Sequence, residues 1–330
     1  MTALTFEALA RRLAVPSDTL ILMHRNPDGD AVGTAFALRE LLGALGSRAW
    51  CVCEGELPAR LRFLAAPVQE SVLLQSVPFD ADTARVIAVD VASPAQLGGL
   101  RERFEGHTDC MIDHHATGTP FADHYVDGHA AATAEILFDL FRHFEARGTV
   151  RLMPRAAELL YAAISSDTGC FRYSNVTPDT HRRAAVLVAC SIDCAEINHR
   201  LFDSKSMAQL RAEAMGVGKL RVFHGGKMAV IAVSFAERQA AGLTESDLET
   251  LIDVARSLAG VEVAATVRQP TEAPVFRVST RSAGAFNVAA LCAAFGGGGH
   301  EKAAGCTLSA PDLDSAVAIL TDAVKFSGES

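Results

Sequence analysis

Three consecutive ionisable residues, Asp113-His114-His115, follow the apolar run Cys110-Met111-Ile112 and precede the small-residue stretch Ala116-Thr117-Gly118-Thr119-Pro120. Two imidazoles beside a carboxylate, where a buried strand ends, suit metal ligation or proton transfer. Alone, the tripeptide reads equally well as a surface loop. Its company decides the matter. His24-Arg25-Asn26-Pro27-Asp28-Gly29-Asp30 closes the apolar run 20–23, a solitary Asp90 closes 85–89, and Ser166-Asp167-Thr168-Gly169 closes an apolar helical segment. Asp167 by itself is as readily a cap or turn residue as a ligand. The candidate ligands are therefore His24, Asp28, Asp30, Asp90, His114 and Asp167. Carboxylates gathered in one crevice repel unless cations neutralise them, and two divalent ions would bring this set to about zero charge. Mixed imidazole and carboxylate donors without thiolate suit Mn²⁺, with Mg²⁺, Co²⁺ and Fe²⁺ compatible and structural zinc disfavoured. Paired ions ~3.5–4 Å apart lower the pKa of a shared water and clamp an in-line displacement at phosphorus. The expected chemistry is metal-assisted hydrolysis of a phosphate ester.

Each candidate needs an element to hold it. Residues 20–23 read as a buried strand, Pro27 and Gly29 as a turn, and 31–45 as a helix with Val32, Phe36, Leu38, Leu41, Leu42 and Leu45 at helical spacing. Small residues Ala31, Gly33 and Ala35 let that helix start close to the sheet, and its N-terminal amides can face an anion. Further strands are expected at 49–53, 85–89 and 110–112, with short helices at 57–64 and after Ser93-Pro94. Three of these strands end in carboxylates or histidines. In an open parallel α/β sheet the ligand crevice lies at the strands' carboxyl ends. Helices are expected at 131–146, 155–166 and 178–189. A more polar helical stretch, 193–222, reads as a linker between a first domain, 1–192, and a second, smaller α/β domain, 223–330. The second domain is expected to hold strands at 228–233, 261–267 and 275–279 and helices at 245–258 and 287–295. It also carries Gly296-Gly297-Gly298-Gly299-His300, expected as a backbone loop that approaches a ligand closely. No Gly-Lys-Ser/Thr follows, so it is not a Walker loop.

Bulk properties narrow the setting. A length of 330 residues suggests two domains, and 49% hydrophobic against 21% charged residues describes a packed globular chain. Eight cysteines include no Cys-x-x-Cys, so buried free thiols are expected rather than a zinc or disulfide framework. A formal charge of −9 argues against coating long nucleic acid but permits a short phosphorylated substrate in one pocket. No apolar run is long enough to span a bilayer and residues 1–12 lack a signal-peptide pattern, so cytoplasmic residence is expected. His107, His124, His129, His143, His199 and His224 read as surface or core residues, and Trp50 as core.

The order His24-x-Asn-Pro-Asp28-x-Asp30-Ala, Asp90, Asp113-His114-His115 and Ser-Asp167-Thr-Gly resembles the DHH phosphoesterase superfamily. Arg281-Ser282 and Phe295-Gly-Gly-Gly-Gly-His300-x-x-Ala-Ala-Gly305 resemble the DHHA1 substrate domain that accompanies it. Together these motifs cover roughly residues 20–310. Within the superfamily, Phe171-Arg-Tyr-Ser-Asn-x-Thr-Pro-x-Thr-His181 is similar to the stand-alone oligoribonuclease (nanoRNase) and pAp-phosphatase branch. Departures exist: Gly118 stands where Asn is frequent, Gly128-His129-Ala130-Ala131-Ala132 where a serine-rich approach is usual, and Asn287 where an acidic residue is common.

The resemblance implies one metal held by His24, Asp28 and Asp90 and another by Asp30, Asp90, His114 and Asp167, with Asp90 bridging. It implies His115 as a catalytic contact to the scissile phosphate, and Asp113 as support for one of the histidines. Arg281, Ser282, His300 and the amides of Gly297, Gly298 and Gly299 would grip a terminal phosphate or nucleotide, the active site lying in the interdomain cleft. The implied activity is removal of mononucleotides from very short RNA, with 3′-phosphoadenosine 5′-phosphate (pAp) as a second substrate. A homodimer is implied by the resemblance alone. Cleavage of cyclic dinucleotides such as c-di-AMP, or of their linear products, is the alternative within the same chemistry. A RecJ-like exonuclease is disfavoured because no added nucleic-acid-binding domain or basic stripe is present, and a family pyrophosphatase by the glycine loop. A catalytically dead nucleotide-binding regulator would lack a ligand, and all six are present.

Overall fold

The computed structural model describes residues 1–326, the side chain of His300 excepted. The chain divides into two compact units, one spanning Met1–Ser204 and the other beginning at Lys205. In the first, α1 (Phe6–Leu13), β1 (Asp18–Leu22), α2 (Gly29–Ala44), β2 (Arg48–Val52), α3 (Arg62–Ala65), β3 (Arg85–Val89), α4 (Arg101–Phe104), β4 (Cys110–Asp113) and β5 (Asp123–Val126) precede the helices α5 (Thr133–Ala146), α6 (Pro154–Asp167), α7 (Pro178–Val188) and α8 (Cys194–Asn198). The strands form one parallel sheet in the order β2-β1-β3-β4-β5. Leu20, Ile21 and Leu22 of β1 and Val86, Ile87, Ala88 and Val89 of β3 are all buried, which is why these strands read as continuous apolar runs rather than alternating ones.

Register sets the site. Leu22 lies opposite Val52 and Ala88, and Val89 opposite Ile112, so β1, β3 and β4 finish along one edge. His24, Asp90 and Asp113-His114-His115 follow those strand ends. Helix α2 begins where the Asp28 side chain accepts from the amides of Asp30 and Ala31, a carboxylate N-cap. It packs against α6 closely enough that a Cβ on Gly33 would stand 2.6 Å from the Leu159 carbonyl oxygen and 2.8 Å from Ala163 Cβ. That glycine is required by contact, and filling the space would cost about 1–3 kcal/mol.

The second unit contains α9 (Met207–Gly218), β6 (Leu220–Phe223), β7 (Met228–Val233), α10 (Phe235–Ala240), α11 (Leu251–Arg256), β8 (Val263–Arg268), β9 (Val275–Ser282), α12 (Val288–Ala293), β10 (Gly298–His300), β11 (Ala303–Ser309) and α13 (Leu313–Ala323). Its sheet runs β10-β11-β9-β8-β7-β6, with β7 and β8 parallel and the other pairs antiparallel.

Several local expectations change. The polar stretch 193–222 divides between the units: α8 belongs to the first, while α9 buries Ala212 in a core with Ala229, Ile231 and Leu251 of the second. The helix expected over 245–258 is a short 3₁₀ turn, Ser246–Leu248, followed by α11. Half of the expected glycine loop is strand β10, paired with β11. Strands β5, β6 and β11 and helix α13 lie outside the expected elements; β5 and β6 are four-residue, half-exposed strands that carry little periodic signal. All eight cysteines are free; Cys170, Cys190 and Cys194 are only half-buried, contrary to the expectation of buried thiols. Trp50 is half-buried in β2, donating to Ser76 Oγ. Among the described residues no helix is long and apolar enough to cross a membrane.

Candidate metal centre

The first unit brings His24, Asp28, Asp30, Asp90, His114, His115 and Asp167 together. Donor atoms of His24, Asp28 and Asp90 lie within 4.8 Å of one another, as do those of Asp30, His114 and Asp167, and those of Asp90, His114 and His115. Asp90 faces histidines on two sides: its Oδ2 is 3.9 Å from His24 Nε2 and its Oδ1 is 3.8 Å from His114 Nε2. His114 Nε2 is also 3.2 Å from Asp167 Oδ2 and 4.0 Å from Asp30 Oδ2, while His24 Nε2 is 3.9 Å from Asp28 Oδ1. Asp90 is shared by two of these three groups and faces His114, a member of the third.

Backbone and neighbouring side chains hold these groups. Asp90 has a left-handed backbone (φ 56°), a region that Asp tolerates better than most residues and that turns its carboxylate off the end of β3. His114 Nδ1 stands 3.1 Å from the Ala130 carbonyl oxygen, so the Nδ1-protonated tautomer turns Nε2 toward the carboxylates. Asp113 Oδ1 accepts from the backbone amides of His114 and His115 and from His115 Nδ1 at 2.6 Å. Asp113 therefore braces His115, and a main-chain carbonyl braces His114.

A further group of supports was not anticipated. Helix α5 begins after Ala132, which has no side chain to cap it. The Asp30 carboxylate takes that place, accepting from Thr133 N at 2.6 Å and Ala134 N at 3.2 Å, and from Thr34 Oγ1 at 2.8 Å. Thr133 Oγ1 donates to Asp90 Oδ1 at 3.0 Å. A helix N-terminus next to carboxylates lowers their mutual repulsion. An uncapped helix start at 131–133 was the available signal, but nothing in one chain's order says which carboxylate meets it. Asn175 Nδ2 donates to the carbonyls of Ala131 and Asp167, tying the segment after α6 to the same place. Gly118 is explained by contact: its Cβ would stand 2.5 Å from the Ala92 carbonyl oxygen, so Asn could not be accommodated without a shift.

The electrostatics test whether a cation fits. Burial first, then the carboxylates of Asp30, Asp28 and Asp167, push Asp90 well above the ordinary carboxylate range. Burial and then Asp167 raise Asp30 to about 7. His114 is lifted to about 11: burial disfavours its charge, but Asp167, Asp30 and Asp90 outweigh it. Asp28 moves the other way, to about 2: desolvation raises it, but the charge of His24 and the hydrogen bond from the Ala31 amide outweigh that. Protein alone thus keeps protons on groups that would otherwise be anionic at neutral pH. A divalent cation would replace those protons, and the oxygen and imidazole donor set fits one.

In the second unit, Arg281 lies in β9, its Nη1 donating to the Thr280 carbonyl at 3.0 Å, and Ser282 ends that strand, nearly buried. A Cβ on Gly297 would collide with the Gly305 carbonyl and stand 2.5 Å from Cys306 Cβ; one on Gly299 (φ 142°) would stand 2.5 Å from the Ala303 carbonyl oxygen. These two glycines are accounted for by the approach of β11. Only Gly298 of the three has open space at the Cβ position. The side chain of His300 lies outside the described residues. His107 Nδ1 is 2.8 Å from the Arg103 carbonyl oxygen and His124 Nδ1 is 3.1 Å from that of Ala122, and neither belongs to a candidate ligand group.

Residues 18–164 match the DHH family, N-terminal domain, and residues 225–325 the DHHA1 domain. The chain is 33% identical over 314 residues to the bifunctional oligoribonuclease and PAP phosphatase NrnA of Thermus thermophilus, covering 94% of this chain and 90% of that one. It is 28% identical to the Bacillus subtilis protein of the same name, covering 92% and 93%. Identity to the cyclic-di-AMP phosphodiesterase GdpP of Geobacillus thermodenitrificans is 24%, covering 95% of this chain and 48% of that one. An exopolyphosphatase-related protein from Bacteroides fragilis has the same fold, with a TM-score of 0.87 at 21% identity over 96% and 94% of the two chains. The exonuclease RecJ bound to manganese superimposes with a TM-score of 0.55 at 16% identity over 99% and 96%. With both domains matched and the candidate ligands assembled at the strand ends of the first, the chain belongs to the DHH–DHHA1 family of phosphoesterases.

Proposed function

We propose that this chain is a two-metal phosphoesterase that hydrolyses oligoribonucleotides from dinucleotides to a few nucleotides long, releasing mononucleotides, and that it also removes the 3′-phosphate of pAp. The observation that carries this reading is the meeting of two candidate ligand sets at Asp90, in a chain similar to NrnA over 94% of its length. His24, Asp28 and Asp90 would hold one ion, and Asp30, Asp90, His114 and Asp167 the other, with Mn²⁺ the best match to the donors. When bound, such ions supply Lewis-acid activation of water and of phosphoryl oxygens.

The chain's own residues do the rest. Asp113 keeps a hydrogen bond on His115 Nδ1, so Nε2 would be the nitrogen that meets the scissile phosphate. The α5 amides and Thr133 keep Asp30 and Asp90 fixed, so little reorganisation is needed during the reaction. Arg281, Ser282, Gly298 and His300 are proposed to bind the substrate's terminal phosphate or nucleotide. The expected setting is the cytoplasm.

Similarity supports short RNA over cyclic dinucleotides: identity is 33% to the NrnA relative and 24% to the cyclic-di-AMP phosphodiesterase. A product time course with Mn²⁺ tests the reading, comparing 5′-phosphorylated diadenylate, longer RNA, pAp and c-di-AMP side by side. Fastest turnover of the dinucleotide is expected. Preference for c-di-AMP would replace the reading, and turnover of none would overturn it.

A further inference from the structure

Directly after Asp167 the backbone takes an uncommon path. Gly169, Cys170 and Phe171 have φ of 55°, 59° and 59°, three successive residues in the left-handed region. Non-glycine residues enter it at a cost of about 1–2 kcal/mol each, and usually singly. Surrounding bonds hold the turn: Cys170 N donates to Ser165 O, Phe171 N to Thr168 Oγ1, and Arg172 N and Tyr173 N both to Thr168 O. Phe171 stacks on His181 and packs against Tyr161. Asn175 pins the far end to Asp167 and Ala131. Asp167 is the last residue of α6, and the turn that follows it also places Tyr173.

The ring is backed on one side. If Gly169 carried a Cβ, the nearest atoms would be Tyr173 Cζ and both Cε carbons at nearly equal separations, so the glycine lies against the ring's face at its hydroxyl end. Any side chain at 169 would enter the ring. Tyr173 nonetheless remains 37% exposed. Its neighbour Arg172 is occupied, with Nε donating to the Gly169 carbonyl and the guanidinium over the Phe202 ring. An aromatic ring supported on one face, exposed to solvent and held by the turn that follows a candidate metal ligand has the form of a stacking surface for a flat π-system.

We propose that Tyr173 is a nucleobase platform: a base of the substrate lies on the ring face opposite Gly169 while the phosphodiester occupies the carboxylate–histidine cluster. The proposal rests on the oligoribonucleotide reading and adds to it a contact with the base. Stacking is tolerant of base identity, so the site would accept any dinucleotide and favour purines.

Two measurements test this. The first compares the wild type with Tyr173→Ala and Tyr173→Phe on diadenylate and on two analogues, each lacking one base. Tyr173→Ala should raise KM for diadenylate roughly 5- to 150-fold, the range spanned by base–aromatic stacking, with kcat little changed. Tyr173→Phe should restore KM, and the effect should vanish on the analogue lacking the stacked base. An equal KM rise on all three substrates, or no rise on diadenylate, overturns the proposal. The second is independent of turnover. Tyr173→Trp adds an indole to a chain with a single tryptophan, and its fluorescence is followed against AMP and ribose 5-phosphate, each with Mn²⁺. Quenching by AMP alone supports the platform; no quenching, or equal quenching by both, overturns it. Failure of the wild type to cleave diadenylate would sink the oligoribonucleotide reading, and the AMP titration would still decide the platform.

Discussion

Asp113 Oδ1 and His115 Nδ1 are 2.6 Å apart, whereas His114 Nδ1 stands 3.1 Å from the Ala130 carbonyl oxygen. The motif therefore divides its labour: His114 turns toward Asp30, Asp90 and Asp167, and Asp113 serves its other neighbour. Asp113→Asn keeps the size but removes the charge that orients the imidazole. Activity should fall about 10- to 100-fold, as is typical when such supporting carboxylates are lost. Mn²⁺ affinity measured by calorimetry should change much less. A parallel loss of affinity would show that Asp113 supports the ligand set rather than His115.

Asp90 is nearly buried, left-handed and surrounded by carboxylates, so it should oppose stability in the metal-free protein. Asp90→Asn removes the charge, still accepts from Thr133 and tolerates the backbone conformation. Hydrolysis should drop to background while the metal-free Tm rises by roughly 2–4 °C, equivalent to about 1 kcal/mol. Near-normal activity with Mn²⁺ would remove Asp90 from the bridging position. Asp90→Ala should be equally inactive but less stable, since alanine does not suit φ 56°.

Acidity should couple to both stability and metal binding. Asp30, raised to about 7, contributes its full stability to the metal-free fold below about pH 4 and loses it as pH rises through about 7; Asp90, raised well above 3.8, acts in the same direction. His114, raised to about 11, acts in the same direction: its contribution is complete below pH 6.5 and fades toward 11. Asp28, lowered to about 2, adds stability above 3.8 that is lost only as pH falls through 2, so it is constant near neutrality. Thermal melts in chelator should therefore show Tm falling between about pH 5 and 8, and the increase caused by Mn²⁺ should grow over that interval as the released protons cease to compete. An increment independent of pH would contradict this.

Arg281→Ala separates binding from chemistry. If this guanidinium grips a terminal phosphate, KM for a 5′-phosphorylated dinucleotide should rise about 10- to 100-fold, in line with a charged hydrogen bond worth about 1.5–3 kcal/mol. KM for the dinucleotide lacking that phosphate should hardly move. Equal effects on both would argue that Arg281 is a structural residue of β9.

Much of the candidate centre was legible in one dimension because most candidate ligands follow a short apolar run that must become a buried strand or helix. His24, Asp90 and His114 each stand just past such a run, and a parallel sheet brings strand ends together by its register. Strands β1, β3 and β4, helices α2, α5 and α6, and the division into two α/β units follow from the same periodicity. Contacts between residues far apart in the chain were not legible. That Asp30 caps α5, that Thr133 reaches Asp90, that Asp113 faces His115 while Ala130 faces His114, and that Gly169 backs Tyr173 depend on side-chain direction and on distances of an ångström or two. Strand β10 was hidden as well, because glycines have no side chains to alternate and its pairing depends on β11. Sequence order determined which residues could be ligands; tertiary structure decided what holds each of them, because hydrogen bonds between distant segments exist only once the chain has folded.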